Sequence, residues 1–192
     1  MFSELNTAQI VEMLVGGSLL IFSAYISFPL TNWLVQKSFN NWYKYAESEW
    51  TKAFFHTNLT RKVALIAPSL IIQIAVGLVP HVSKDVTSII KNIAVSVTIF
   101  YLLRVLLALL DIFENLQVQN ALKEKRPKAI KSYVQLSKIL LIILGTIVII
   151  STLIDRSPLI FLSGIGAMSA VLLIVFKDTL TSFVAGIQLT AT

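Results

Sequence analysis

Cysteine is absent from the 192 residues, which excludes disulfides, thiolate metal sites and a cysteine nucleophile. Histidine is nearly absent. His56 and His81 lie in separate polar connections with no imidazole or carboxylate partner at ligand spacing, so neither a metal nor another cofactor is expected. Charge is scarce too: Asp, Glu, Lys and Arg make up 14% of the chain, about half the usual share, too little to cover a water-soluble fold of this length. The basic residues exceed the acidic ones and leave a net charge of +6. They are scattered through connections between apolar blocks, which fits a membrane surface better than nucleic acid. No nucleophile, base and orienting group converge, so enzymatic chemistry is not expected.

What the chain has in abundance is apolar sequence, 56% of its residues. Five blocks, near 10–35, 63–80, 86–110, 133–154 and 159–176, approach or exceed the roughly 20 helical residues that cross about 30 Å of hydrocarbon. The expected fold is an all-α integral membrane protein with five transmembrane helices. The first block does not read as a cleavable signal, because Met1 to Glu12 holds no Lys or Arg and carries Glu4 and Glu12; it is expected to remain in the mature chain. Pro29 and Pro68 fall inside blocks and are expected to kink helices rather than end them.

Orientation follows from the connections. Lys37, Lys44, Lys52, Arg61 and Lys62 lie in 36–62, and Lys123, Lys125, Arg126, Lys128 and Lys131 in 111–132, which assigns both connections to the cytoplasm. The other two, Pro80 to Asp85 and Asp155 to Pro158, are short and hold one basic residue each beside an aspartate. They belong outside, with the N-terminus outside and the C-terminus inside. The 36–62 connection also interleaves Trp42, Tyr43, Tyr45, Trp50, Phe54 and Phe55 with charge. It reads either as a helical linker with an aromatic belt or as a sensor of lipid packing. The run Lys123 to Lys128 fixes topology or holds anionic headgroups, in what is expected to be a loop of twenty-odd residues.

Charges inside the blocks have simple explanations: Arg104 and Lys138 near inner ends and Lys91 near an outer end can snorkel to the interface. No carboxylate pair, Asp-His chain or pair of broken helices in two similar halves marks a coupled transporter. A small-solute transporter is therefore a third reading only.

The last block differs from the others. Ser163, Gly164, Gly166, Ala167, Ser169 and Ala170 are small on more than one helical face, which lets two neighbours approach closely, as in a ring. Val171 to Phe176 is then fully apolar, Lys177-Asp178 interrupts it, and a shorter mixed stretch follows. That stretch, 177–192, is expected to bend and lie near the inner surface, with Asp178 capping its start. Composition alone leaves two readings open: a tightly packed internal helix, or a pore helix whose apolar side chains empty the inner half of water.

The segments Leu162-Ser-Gly-Ile-Gly-Ala-Met-Ser-Ala-Val-Leu172, Val175-Phe-Lys-Asp178 and Leu180-Thr-Ser-Phe-Val-Ala-Gly-Ile-Gln-Leu189 resemble the pore helix and its bent continuation in the MscS-like family of small-conductance mechanosensitive channels. They are most similar to its YbdG-type miniconductance branch. The close match covers the final thirty residues or so; the other blocks match in topology. The resemblance implies a homoheptamer in a bacterial inner membrane that releases ions and small osmolytes on hypoosmotic shock, with lipids as partners and a periplasmic N-terminus. It implies four outer helices in 1–158, a pore helix at 159–176, and a cytoplasmic β-domain following the bent segment. It carries the gate rings onto Ala170 and Ile174, the bend onto Lys177-Asp178, and Ala185 and Gly186 onto the stretch after the bend. Ala170 and Asp178 depart from the family's leucine and glycine, so a rotated helix presenting Met168, Leu172 or Phe176 is the second expectation for the gate. The alternative from another class is a non-conducting scaffold or partner subunit, whose small residues serve packing alone.

Overall fold

A computed structural model describes residues 7–45, 57, 59–124 and 129–190, and the side chains of all of these except 40–45, 119–124, 129–130, 180, 184–186 and 188–190. The side chains of the aromatic-rich connection from Trp42 to Phe55, His56, the basic run Lys123 to Lys128 and the final Ala191-Thr192 lie outside the described residues. Within them every regular element is helical: α1 (Thr7–Tyr45), α2 (Leu59–Ala64), α3 (Ile66–Ala75) with a 3-10 turn at Val76–Leu78, α4 (Lys84–Glu124), α5 (Ala129–Leu153) and α6 (Pro158–Thr190). Among the described residues five spans are long and apolar enough to cross a membrane, Leu59–Leu78 being one of them. The chain divides into two units, Met1–Asp155 and Arg156–Thr192.

Apolar sequence becomes helix here because hydrocarbon offers the backbone no hydrogen-bond partner, so each N–H must find its carbonyl within the segment. Hydroxyls of α1 follow the same rule. In α1 the Ser18, Ser23 and Ser27 hydroxyls donate to the carbonyls of Val15, Leu20 and Ala24 at 2.9, 2.8 and 2.7 Å. Pro29 sits inside α1 without ending it. The break between α2 and α3 at Leu65 lies where Pro68, which has no N–H, leaves the Ala64 carbonyl without its i+4 donor. Leu65 itself keeps helical dihedrals (φ −69, ψ −13) and bonds to the Arg61 carbonyl at 3.2 Å, so the axis continues.

Both connections expected outside are tight turns built from local chemistry. Val79, before Pro80, is extended (ψ 117) as the proline ring requires, and His81 takes a left-handed φ of 61. Ser83 then starts α4, its hydroxyl accepting from the Val86 amide at 3.4 Å, with Asp85 suited to the positive end of the helix. In the second turn Asp155 has φ 57 and its amide reaches the Thr152 carbonyl at 3.2 Å, closing α5. Ser157 accepts from the Leu159 amide at 3.4 Å, and Pro158 occupies the first position of α6, where no N–H is needed.

In the first unit α2 and α3 lie between α1 and α4, and α4 pairs with α5. Ala108, Ile112 and Leu116, four residues apart on one face of α4, form a buried cluster with Leu59, and Val63 and Val105 pack around it. That stripe carries α4 well past the expected end of its block. The 111–132 loop is corrected accordingly: α4 runs to Glu124 and α5 begins at Ala129. The physical reason is that no proline or glycine occurs between Lys84 and Arg126, and apolar residues at helical spacing continue beyond the hydrocarbon. At 41 residues, α4 is about 60 Å long, twice the hydrocarbon thickness.

α4 and α5 approach closely at Gly145, where an added Cβ would lie 2.7 Å from Leu103 Cδ2. Gly145→Val should therefore destabilise the helix pair by about 1–3 kcal/mol through overpacking. Thermal unfolding in detergent checks it, with Gly17→Val, where an added Cβ meets nothing within 4 Å, as the control expected to stay near the parent.

Candidate functional site: the α6 helix and its supports

Every residue singled out for pore, packing and bend lies on α6, which is one uninterrupted helix from Pro158 to Thr190. The cap expected of Asp178 is corrected, because the helix runs through Lys177-Asp178. Asp178 does not cap a second segment, and the Thr181 and Ser182 hydroxyls donate to the Lys177 and Asp178 carbonyls at 2.9 Å each. No proline or glycine occurs between Ala167 and Ala185 to open the ladder, and threonine and serine in hydrocarbon bond back to their own helix.

Continuity fixes the angular phase of every side chain, because each residue advances about 100° around the axis. Taking Ala170 as origin, Ser163, Gly166, Ile174, Lys177 and Thr181 fall within about 40° of it and Ala167 within about 60°. Met168, Leu172 and Phe176 fall about 120° or more away, on the opposite side. The two expected gate sets therefore cannot face one axis together. On the Ala170 face Leu159 comes first, about 20° away, the small residues Ser163, Gly166 and Ala167 follow, Ile174 with Leu173 about 60° away makes its large apolar part, and Lys177 and Thr181 come after. On the other, Phe161, Ile165, Met168, Leu172, Val175 and Phe176 are large and apolar, and Thr179 follows them. Gly164 and Ser169 flank the small face on either side, so small residues cover about 220° near the start of α6. Ala185 and Gly186 continue the same helix about 60° and 160° from the origin.

As a single helix, the second unit has no core of its own. Met168, Leu172, Ile174 and Phe176 are exposed, and a Cβ added at Gly164 or Gly166 meets nothing within 4 Å. Room for close approach is thus present along the small face.

The first unit holds polar groups whose partnerships are invisible in composition. Gln73 of α3 donates through Nε2 to Thr98 Oγ1 of α4 at 2.5 Å, and Thr98 also meets Ser69 Oγ at 2.8 Å. Ser69 is 3% exposed, so this cluster ties α3 to α4 inside the apolar layer. Snorkelling does not describe Lys138: its Nζ lies 2.7 Å from Asp111 Oδ1 and 2.6 Å from Glu114 Oε2 across the α4–α5 contact. Nothing in the spacing of the apolar blocks signals either set, because each partner is more than twenty residues away in the chain. At the other end of the unit, His81 Nε2 and Glu12 Oε2 are 3.0 Å apart. They sit beside an apolar crevice of about 730 Å³ lined by Met13, Gly17, Ile72, Val76 and Val86. Among the described residues no three His, Asp or Glu side chains gather as metal ligands.

No protein-family model matches the chain, and no solved structure matches it.

If the small face of α6 packs against copies of itself, Gly166→Leu overpacks each contact by about 1–3 kcal/mol. Native mass should then move from oligomer to monomer, while far-UV helix content stays at the parent value because Gly166 has open space in the subunit.

Proposed function

We propose that this protein is a homo-oligomeric channel opened by membrane tension, with α6 lining the pore and the other four spans facing lipid. The observation that carries the reading is the phase of α6: small residues spread over about 220° near its start, Ile174 as the large apolar side chain nearest the Ala170 phase among residues 160–176, and Lys177 and Thr181 further along. A lumen built this way dewets at the Ile174 ring when narrow and fills when the ring expands. Ala170 lies on the same face, too small to seal it alone. The large face of Met168, Leu172 and Phe176 packs outward against lipid or the outer helices. Tension favours whichever state occupies more membrane area, so a ring that widens as its helices part responds to tension without a ligand.

The resemblance to MscS-like channels supports this reading and supplies its finer parts: seven subunits, a bacterial inner membrane, ions and small osmolytes as permeants, and protection against hypoosmotic shock. The distribution of Lys and Arg supports a periplasmic N-terminus and a cytoplasmic C-terminus. In that orientation Lys177 forms a basic ring near the inner mouth. Asp178 lies about 80° from the Ala170 origin, further from the lumen, so Lys177 dominates and the open pore prefers anions. No catalytic residue, metal or nucleic acid enters the mechanism.

Patch-clamp recording under graded suction, on the protein reconstituted in giant liposomes, tests the proposal. Discrete current steps whose probability rises with tension are expected. Silence from oligomers proven intact by native mass would replace the channel with a packing scaffold or partner subunit, and saturable, gradient-coupled flux without unitary steps would replace it with a transporter.

A further inference from the structure

The Lys138 cluster has a geometry beyond that of a surface ion pair. Its two N–O distances of 2.7 and 2.6 Å are those of short charge-assisted bonds, and Lys138 and Glu114 are only 22% and 19% exposed, while Asp111 is 49% exposed. Asp111 and Glu114 stand three residues apart on one face of α4, so a single ammonium from α5 bridges both. Seven positions further along α5, Gly145 receives the Leu103 side chain so closely that even a methyl group would collide with it. One contact resists sliding and rotation through charge, the other through shape. Together they fix the register of α4 against α5 at two levels. Beyond Gly145, α5 ends at Leu153, and only the turn Ile154 to Ser157 separates it from α6.

We propose that Lys138 is a positioning residue whose double ion pair with Asp111 and Glu114 locks α4 and α5 into one body at the start of α5, far along the helix from the turn Ile154 to Ser157. The chain entering α6 then moves with both helices rather than with α5 alone. This coupling role rests on the tension-gated reading above. A locked pair presents more lipid-facing surface than a lone helix and cannot absorb a displacement by internal slippage, so membrane force reaches the start of α6. Removing the ammonium does more than delete an attraction. It leaves two carboxylates on one helix face without a partner, and the penalty of a stranded, partly buried charge exceeds the value of the intact pair.

The test uses the full chain, which has no native cysteine, with spin labels at Asn115→Cys and Gln135→Cys, both exposed positions beside the cluster. Three forms are reconstituted in liposomes: the parent, Lys138→Met, and the neutral triple variant Asp111→Asn/Glu114→Gln/Lys138→Met. The triple variant removes the stranded charge and guards against a single variant that fails to fold. Pulsed dipolar spectroscopy should give a narrow 115–135 distance distribution in the parent and a broader, longer one in Lys138→Met. The tension at half-opening should rise in the same variant, and the triple variant should lie between the two in both readouts. A distribution as narrow in both variants as in the parent overturns the clamp. A broadened distribution with unchanged or lowered opening tension overturns the coupling role. A parent that never conducts overturns the channel reading and the coupling with it, while the distance result still decides whether the clamp exists.

Discussion

The constraint on which the rest of the structure depends is that hydrocarbon cannot hydrogen-bond. It drives each apolar block to close its own backbone ladder, and it turns hydroxyls inward, as with Thr146 and Ser169 bonded to the Ile142 and Ile165 carbonyls. It also removes the usual reason for helices to pack, since lipid tails are as apolar as leucine. What holds the first unit together is accordingly specific: the Gln73–Thr98–Ser69 bonds between α3 and α4, the Gly145–Leu103 approach and the Lys138 pairs between α4 and α5, and the Leu59–Ile112 cluster.

The five spans were legible because length and hydropathy answer directly to bilayer thickness, and the turns because Ser83, Pro80, Asp155 and Pro158 have strong local preferences. Helix ends were less legible. Charged residues after Leu110 suggested a loop, yet Ile112 and Leu116 continue the helical stripe and no proline intervenes before Pro127. The same reasoning misled at Asp178, where charge suggested a cap starting a second segment but nothing there opens the backbone ladder. Polarity marks where a helix meets water; only missing donors or left-handed residues mark where it stops.

The interhelical polar contacts were not legible at all. Gln73 and Thr98 are separated by 25 residues, and Lys138 and Glu114 by 24; which of many polar side chains face each other depends on the rotation of two packed helices. Lys138 in particular satisfied a snorkelling reading that required no partner. The candidate pore residues stand between these cases. Which of Met168, Ala170, Leu172, Ile174 and Phe176 share a face follows from helical spacing before Lys177-Asp178, and the unbroken α6 extends the same phase to Lys177 and Thr181.

That phase is the centre of the functional account, because it separates Ala170 and Ile174 from Met168, Leu172 and Phe176 and allows only one set to face a pore. The most direct measurement compares Ile174→Cys with Leu172→Cys in tension-opened patches exposed to a charged thiol reagent. The account predicts that modification at 174 changes unitary conductance and modification at 172 does not. An equal effect at both, or an effect at 172 alone, would contradict it.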